Sequence, residues 1–396
     1  MKMQHRSSAF TLVEVMVAAG IVVVLMVVLL GMTDQTQRLV KATSSKVEQF
    51  QEARAAFEAM TRRLSQATLN SFWDYTYSPS TGVPNGYARH AELRFVSGSM
   101  TSIVGPNHPE WPGHGVFFQA PLGMVESTGV TAQQKHSPDL GAMDHLMNSW
   151  GYFVEVGIDP NQYNQYPAFL STAVTPRKRY RLMELMEPSE RMSVYKNQSD
   201  TNKRLWYSQS IDPAKFTPTK PRPVRVLAEN VVALILLPRL SLADERTINQ
   251  NPTTPPVLAA KYLYDSTQTG TYNERKSDDL TNNNPLLNTK NQLPPVVQVI
   301  MVAIDEPSAR RLEDLYGTDT YLGIGTNPDP KTGKSLFTDP ASLNDNINGT
   351  AGDLTRFQNL LSSSQTPNIR ASYRVFSSNV TIKGAKWSLH TAPTTF

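Results

Sequence analysis

From Val15 to Thr33 the chain runs nineteen residues without a charge. A helix over this run is ~29 Å long at ~1.5 Å of rise per residue, close to the ~30 Å thickness of a bilayer core. Glu14 is the sole charge at its front edge. A carboxylate there costs several kcal/mol unless it has a partner, which marks it as a functional residue by default. A secretory signal peptide has an apolar region of ~7–15 residues followed by a small-residue cleavage site. Here the run is longer and no Ala-x-Ala follows it. The small residues Ser7, Ser8 and Ala9 come before it, between a basic leader (Lys2, His5, Arg6) and Phe10.

This arrangement resembles the class III signal of type IV pilins and type II secretion pseudopilins. The basic leader, Phe10-Thr11-Leu12-Val13-Glu14 and the apolar run all fall in the family's register. The resemblance implies cleavage by a prepilin peptidase between Ala9 and Phe10, on the cytoplasmic side, with Glu14 as an assembly residue. The chain departs from the family in one place: Ala9 stands where Gly is strongly preferred, and Ala is the next smallest side chain. The charges flanking the span (Lys2 and Arg6 before; Arg38, Lys41 and Lys46 after) do not decide its orientation. The resemblance implies an inner-membrane, single-pass protein, its N-terminus in the cytoplasm and its remainder in the periplasm or on the cell surface.

Cleavage would create an amine on Phe10, about 6 Å along the helix axis from Glu14. In axially offset neighbours that amine can meet the Glu14 carboxylate. In low dielectric their attraction offsets the desolvation of both. The plain alternative is an ordinary anchor with Glu14 at the headgroup boundary.

The helix is expected to continue to about Asn70. No Pro occurs before Pro79, and Val47, Phe50, Ala53, Phe57, Met60, Leu64 and Ala67 recur at spacings of three and four, one apolar stripe that packs against the chain's own sheet. Gly20 and Gly31 are candidate soft points. The expected organisation is therefore a leader over 1–9, a transmembrane helix over 10–33, its amphipathic continuation over 34–70 and an extracytoplasmic globular domain over 71–396.

That last part is long enough for a substantial core. Hydrophobic content is 39% and mean hydropathy −0.36, which excludes a multispan protein. Cys is absent, so disulfide and thiolate chemistry are excluded. A net charge of +4 is too small to argue for nucleic acid by itself.

The patterning predicts an α+β fold, with the long N-terminal helix packed on an antiparallel sheet that carries large loop-rich insertions. Strands are expected at Arg89–Val96, Gly115–Ala120, Tyr152–Val156, Arg179–Met186 and Val231–Leu237, and in a central position at Val296–Ile304. Leu140, Met143, Leu146 and Met147 fit a helical face, and Leu354, Phe357, Leu360 and Leu361 another. Ser308 is expected to cap a helix that Gly317 stops, and Tyr373–Leu389 to form a closing hairpin or strand pair. Stretches near 155–178, 241–292 and 317–352 read as loops.

Two further resemblances are narrower. Val226–Leu236 and Leu293–Val302 look like the sheet of J-type minor pseudopilins. Asn148–Glu155, Arg179–Glu184, Tyr373–Phe376 and Ala385–Ser388 are similar to the C member of the Verru_Chthon prepilin-like cassettes.

No catalytic constellation stands out, and no enzyme activity is expected. Gly333-Lys334-Ser335 lacks the earlier Gly of a phosphate loop, since that position is Pro328. His108, Glu110 and His114 match no zinc spacing. Asp329, Asp339, Asn344, Asp345, Asn346 and Asp353 place oxygen donors in one loop-rich segment. Asp329, Asp339 and Asp345 are weak calcium candidates, but the EF-hand pattern is absent, and no cofactor is expected. Arg177–Arg181 and Lys203–Tyr207 interleave cations with aromatics as nucleic-acid patches do, although solvated strand edges are the commoner outcome.

Two functions remain. One is a minor pilin or pseudopilin that assembles through its N-terminal helix with other pilins into a type IV pilus or a type II secretion pseudopilus. The other is a membrane-tethered periplasmic binding domain that does not polymerise.

Overall fold

The computed structural model describes residues 11–124, 145–158, 177–196, 205–216, 222–244, 258–267, 289–317, 322–325, 328–345, 349–364 and 368–387. The chain divides into two compact units, Met1–Gln51 and Glu52–Phe396. One helix, α1 (Leu12–Leu64), contributes to both. In the first unit its apolar residues, from Leu12 to Val40, are exposed, and the helix passes Gly20 and Gly31 without a break.

The second unit is α+β. Its strands are β1 (Ser71–Tyr77), β2 (Pro84–Ala91), β3 (Val96–Ser99), β4 (His114–Pro121), β5 (Met147–Ile158) and β6 (Lys178–Glu187), followed by β7 (Val224–Glu229), β8 (Val231–Arg239), β9 (Tyr264–Asp265), β10 (Val296–Ile304) and β11 (Tyr373–Thr381). They form a six-stranded sheet in the order β7-β6-β5-β4-β3-β9, a three-stranded sheet β11-β10-β8, and a β1-β2 hairpin. The strand pairings within all three are antiparallel. The chain crosses from the first sheet to the second at Asn230, whose φ of 58° turns β7 sharply into β8. Asn tolerates this left-handed conformation better than most residues. β8 lies against β4, β5 and β6, so its run Val231–Leu237 is buried throughout.

Each face of the six-stranded sheet has its own cover. Register places Val116, Phe118, Trp150, Tyr152, Val154, Leu182 and Glu184 on one face. The last turns of α1 meet that face and the second sheet, burying Ala53, Ala56, Phe57, Met60 and Leu64, with the Phe57 ring 5.9 Å from Phe376 of β11. Full burial of a side chain the size of Met or Leu contributes about 1.5–3 kcal/mol, enough to hold this segment of helix down. On the opposite face Phe117 stacks on Tyr207 at 4.4 Å, beside Trp206 of α2 (Trp206–Ile211). Phe117 lies across Gly151, where a Cβ would come within 2.4 Å of the ring.

Several expectations shift. α1 stops at Leu64 rather than near Asn70, because the chain tightens through Ala67 N–H donating to Leu64 O and then bridges Gln119 at Thr68. The strand expected over Arg89–Val96 is two strands separated by a bend. Arg94 turns inward there to pair with buried Asp265 at 2.7 Å, and its N–H donates to Gln119 Oε1. Met147 opens β5 instead of closing a helix, while Leu140 and Met143 lie outside the described residues. α3 (Glu306–Tyr316) starts before Ser308. Asp305 is its cap, accepting from Ser308 N–H at 3.0 Å, and Gly317 ends it as expected. α4 (Asp353–Ser362) forms where Leu354–Leu361 predicts it. The expected closing pair is, among the described residues, the single strand β11, paired with β10.

Candidate functional site: the first turn of the N-terminal helix

Thr11 precedes α1 and Glu14 is the third residue of the helix. Glu14 Oε2 accepts from Thr11 N–H at 3.0 Å and from the Thr11 hydroxyl at 3.1 Å. In return Glu14 N–H donates to Thr11 Oγ1 at 3.4 Å. This is a capping box, in which the two side chains satisfy N–H groups that have no partner inside the helix. The carboxylate also sits at the positive end of the helix dipole. Thr-Leu-Val-Glu therefore has a local role independent of any neighbour: it starts the helix and fixes the carboxylate at its mouth. Glu14 is exposed, and its Oε1 makes no hydrogen bond among the described residues. Ala9 and Phe10, the expected processing residues, lie outside the described residues.

A single segment among the described residues, Leu12–Val40, is helical, long and apolar enough to cross a membrane. The model of the prokaryotic N-terminal methylation motif matches residues 4–30. The chain carries a prepilin-type N-terminal signal. The signal implies processing by a prepilin peptidase and association with pilin-type proteins, and with the apolar helix it fits a membrane-anchored, single-pass protein. Neither a curated protein nor a solved structure matches the chain.

Away from the signal, the other candidates are built into the fold. Asp329 is buried and accepts from Lys331 N–H and the Thr332 hydroxyl at 2.9 and 2.8 Å. It thereby closes the loop that contains Gly333-Lys334, a tight reversal in which Gly333 N–H donates to Asp329 O. Asp339 caps the turn Pro340–Ser342 through Ala341 N–H, and Asp345 Oδ1 accepts from Gly352 N–H at 2.7 Å. The structure thus gives these weak calcium candidates separate backbone partners. No cluster of three or more His, Asp or Glu suited to a metal occurs among the described residues.

His114 and His108 serve different ends. His108 pairs with Glu110 at 2.9 Å. His114 is buried on β4, where its Nδ1 accepts from Leu236 N–H at 3.1 Å and its Nε2 faces Phe337 O at 3.3 Å. The neutral tautomer with the proton on Nε2 satisfies both contacts. Burial is the leading cause that lowers its pKa to about 4. His114 therefore ties the outer edge of β8 to the segment around Phe337.

Several members of the basic strings are engaged within the fold. Arg179 is buried and holds Glu306 and Glu313 of α3, each at 2.8 Å. Arg181 Nη1 donates to Gly157 O at 2.8 Å. Trp206 and Tyr207 are fully buried and offer no ring to a base. Lys203 and Arg204 lie outside the described residues.

Two features escaped the sequence reading. Arg63 closes on Glu184, and the aromatic hairpin β1-β2 stands exposed. The alternation of Trp73, Tyr75 and Tyr77 was the available signal for that hairpin; nothing local signals a partner for Arg63 121 positions away.

Proposed function

We propose that this chain is a pilin-like structural subunit, a minor pilin or pseudopilin. It assembles through its N-terminal helix into a type IV pilus or type II secretion pseudopilus, with the globular unit outside the cytoplasmic face. The role is structural rather than catalytic. Its globular unit would belong with those of J-type minor pseudopilins or of the Verru_Chthon cassette C protein. The observation that carries the reading is a carboxylate held by a capping box at the mouth of an uncharged span, inside a prepilin-type signal. Thr11 occupies Oε2 and leaves Oε1 for an amine brought by a neighbour. A simple anchor could complete the same box with an uncharged Gln, without placing a charge there at a cost of several kcal/mol.

The test is Glu14→Ala. The variant is expected to insert and fold as the parent does and to lose co-assembly with partner pilins. Undiminished pull-down of those partners by Glu14→Ala would overturn the assembly reading and leave a tethered, non-polymerising domain.

A further inference from the structure

Asn230, which carries the chain from one sheet to the other, also lines a pocket. The pocket opens between α3 and the ends of β5, β6 and β10, and measures about 410 Å³ counted out to its mouth. Small-molecule sites span ~300–1,000 Å³ and combine an apolar lining with a few placed polar groups. Val156, Ile304, Ala309 and Leu312 supply the apolar lining here, and all four are buried.

Most of the charge around the pocket cancels. Arg179 donates to Glu306 Oε1 and to Glu313 Oε2, each at 2.8 Å. Glu313 Oε1 accepts from the backbone N–H of Lys178 at 3.0 Å, so both of its oxygens are engaged. Two groups are left over. One belongs to Asn230, which is 4% exposed. Its Nδ2 donates to Glu306 Oε2 at 3.2 Å. An ionised carboxylate only accepts, so this bond fixes which end of the amide is the oxygen. That oxygen, Oδ1, is buried and accepts no hydrogen bond. The other group is the Lys178 ammonium. Lys178 lines the pocket and is half-buried, and its side chain has no partner among the described residues.

These two groups define what fits. A buried acceptor with no partner is costly, and an N–H or O–H brought by a ligand removes that cost. A purely apolar ligand would leave Oδ1 as it is. One free ammonium beside balanced ion pairs suits a single negative charge, through a charge-assisted hydrogen bond. A cation would meet Lys178 with no free carboxylate to offset it. Between the two groups the apolar walls favour a short hydrocarbon body.

We infer that this pocket binds a small organic monocarboxylate that carries a hydroxyl or amide donor on a short apolar body. The donor meets Asn230 Oδ1 and the carboxylate meets Lys178. Such a ligand touches β5 of one sheet, β10 of the other and α3, so it binds the folded unit and stabilises it by mass action. The site is independent of helix assembly, and its test does not involve Glu14.

The probe is 3-hydroxybutyrate, titrated into the full-length, detergent-solubilised chain and followed by saturation-transfer difference NMR. Two analogues each change one group: butyrate lacks the hydroxyl, and 1,3-butanediol has an alcohol in place of the carboxylate. 3-Hydroxybutyrate is expected to saturate and to bind about tenfold more tightly than either analogue. Asn230→Gly deletes the acceptor and keeps the left-handed turn, which Gly adopts freely. It is expected to bring 3-hydroxybutyrate down to the affinity of butyrate. Lys178→Met keeps the apolar stem and is expected to bring 3-hydroxybutyrate down to the affinity of 1,3-butanediol. No saturable binding by the parent, or equal affinities for the three compounds, overturns the inference. So does an Asn230→Gly chain that still prefers 3-hydroxybutyrate to butyrate. Should that variant misfold, the three compounds compared on the parent still decide.

Discussion

Arg63, in the last turn of α1, closes on Glu184 of β6, whose side chain is wholly buried. The same carboxylate accepts from the Tyr152 hydroxyl at 3.1 Å and from Arg225 Nε at 2.7 Å, while the guanidinium of Arg63 lies 4.6 Å from the centre of the Trp150 ring. The end of the helix is thus tied to the centre of the sheet by a charge pair set among apolar contacts. Burying such a pair yields little net stability, yet removing one partner strands the other charge.

Arg63→Ala is therefore expected to destabilise the globular unit by about 2 kcal/mol, less than the ~3–5 kcal/mol of a fully orphaned charge because Arg225 remains. Arg225→Ala should cost less, about 1 kcal/mol or below, since that side chain is 59% exposed. Denaturation followed by tryptophan fluorescence measures both, and equal losses would remove Arg63 from its special place.

His114 makes stability depend on pH. Its pKa falls from 6.5 to about 4 in the folded state, so below pH 6.5 the unfolded chain binds the proton and the folded chain does not. Stability from this group is complete above about pH 6.5 and is lost as pH falls towards 4, to a total of about 3 kcal/mol. His114→Gln should flatten that part of the pH–stability curve. A parent curve already flat between pH 4 and 6.5 would contradict the assignment.

Gly151→Ala should destabilise by about 1–3 kcal/mol through overpacking. The new methyl would meet Phe117 ring atoms at 2.4 and 2.6 Å, and Phe117 cannot swing freely because Tyr207 is stacked on it. Gly157→Ala, where nothing lies within 4 Å, serves as the control and should lie within about 0.5 kcal/mol of the parent.

The capping box separates two roles of Glu14. Gln can complete such a box without a charge, so Glu14→Gln should keep the first turn of α1 and still lose co-assembly. Thr11→Ala should fray that turn at a cost of about 1 kcal/mol and retain assembly in part. Amide exchange at the helix start, read beside partner pull-down, distinguishes the effects.

Intact-mass analysis of the membrane-extracted chain is expected to show a mature N-terminus at Phe10. A chain that still begins at Met1 would mean that Ala9 blocks processing and that no Phe10 amine forms.

The sequence alone determined the long apolar N-terminal helix, the prepilin-type signal, the strands β4, β6, β8 and β10, and the second half of β5. Each is written in consecutive residues: an uncharged run, a short motif, or an apolar stretch bounded by turn formers. The α+β class followed from the same local patterns. The capping role of Thr11 was equally local, a threonine three residues before a glutamate. What tertiary structure alone decided is where charges and rings end up. Arg94 breaks an alternating run because Asp265, 171 residues away, needs a partner. Asn230 switches sheets. Trp206 and Tyr207 look like a basic aromatic patch and instead fill the core, whereas Trp73 and Tyr75 read no differently and lie in solvent. Periodicity reports which side of an element is apolar. Whether that side is covered depends on contacts between distant segments, because burial and charge pairing are set by the packed assembly of elements and not by neighbours in the chain.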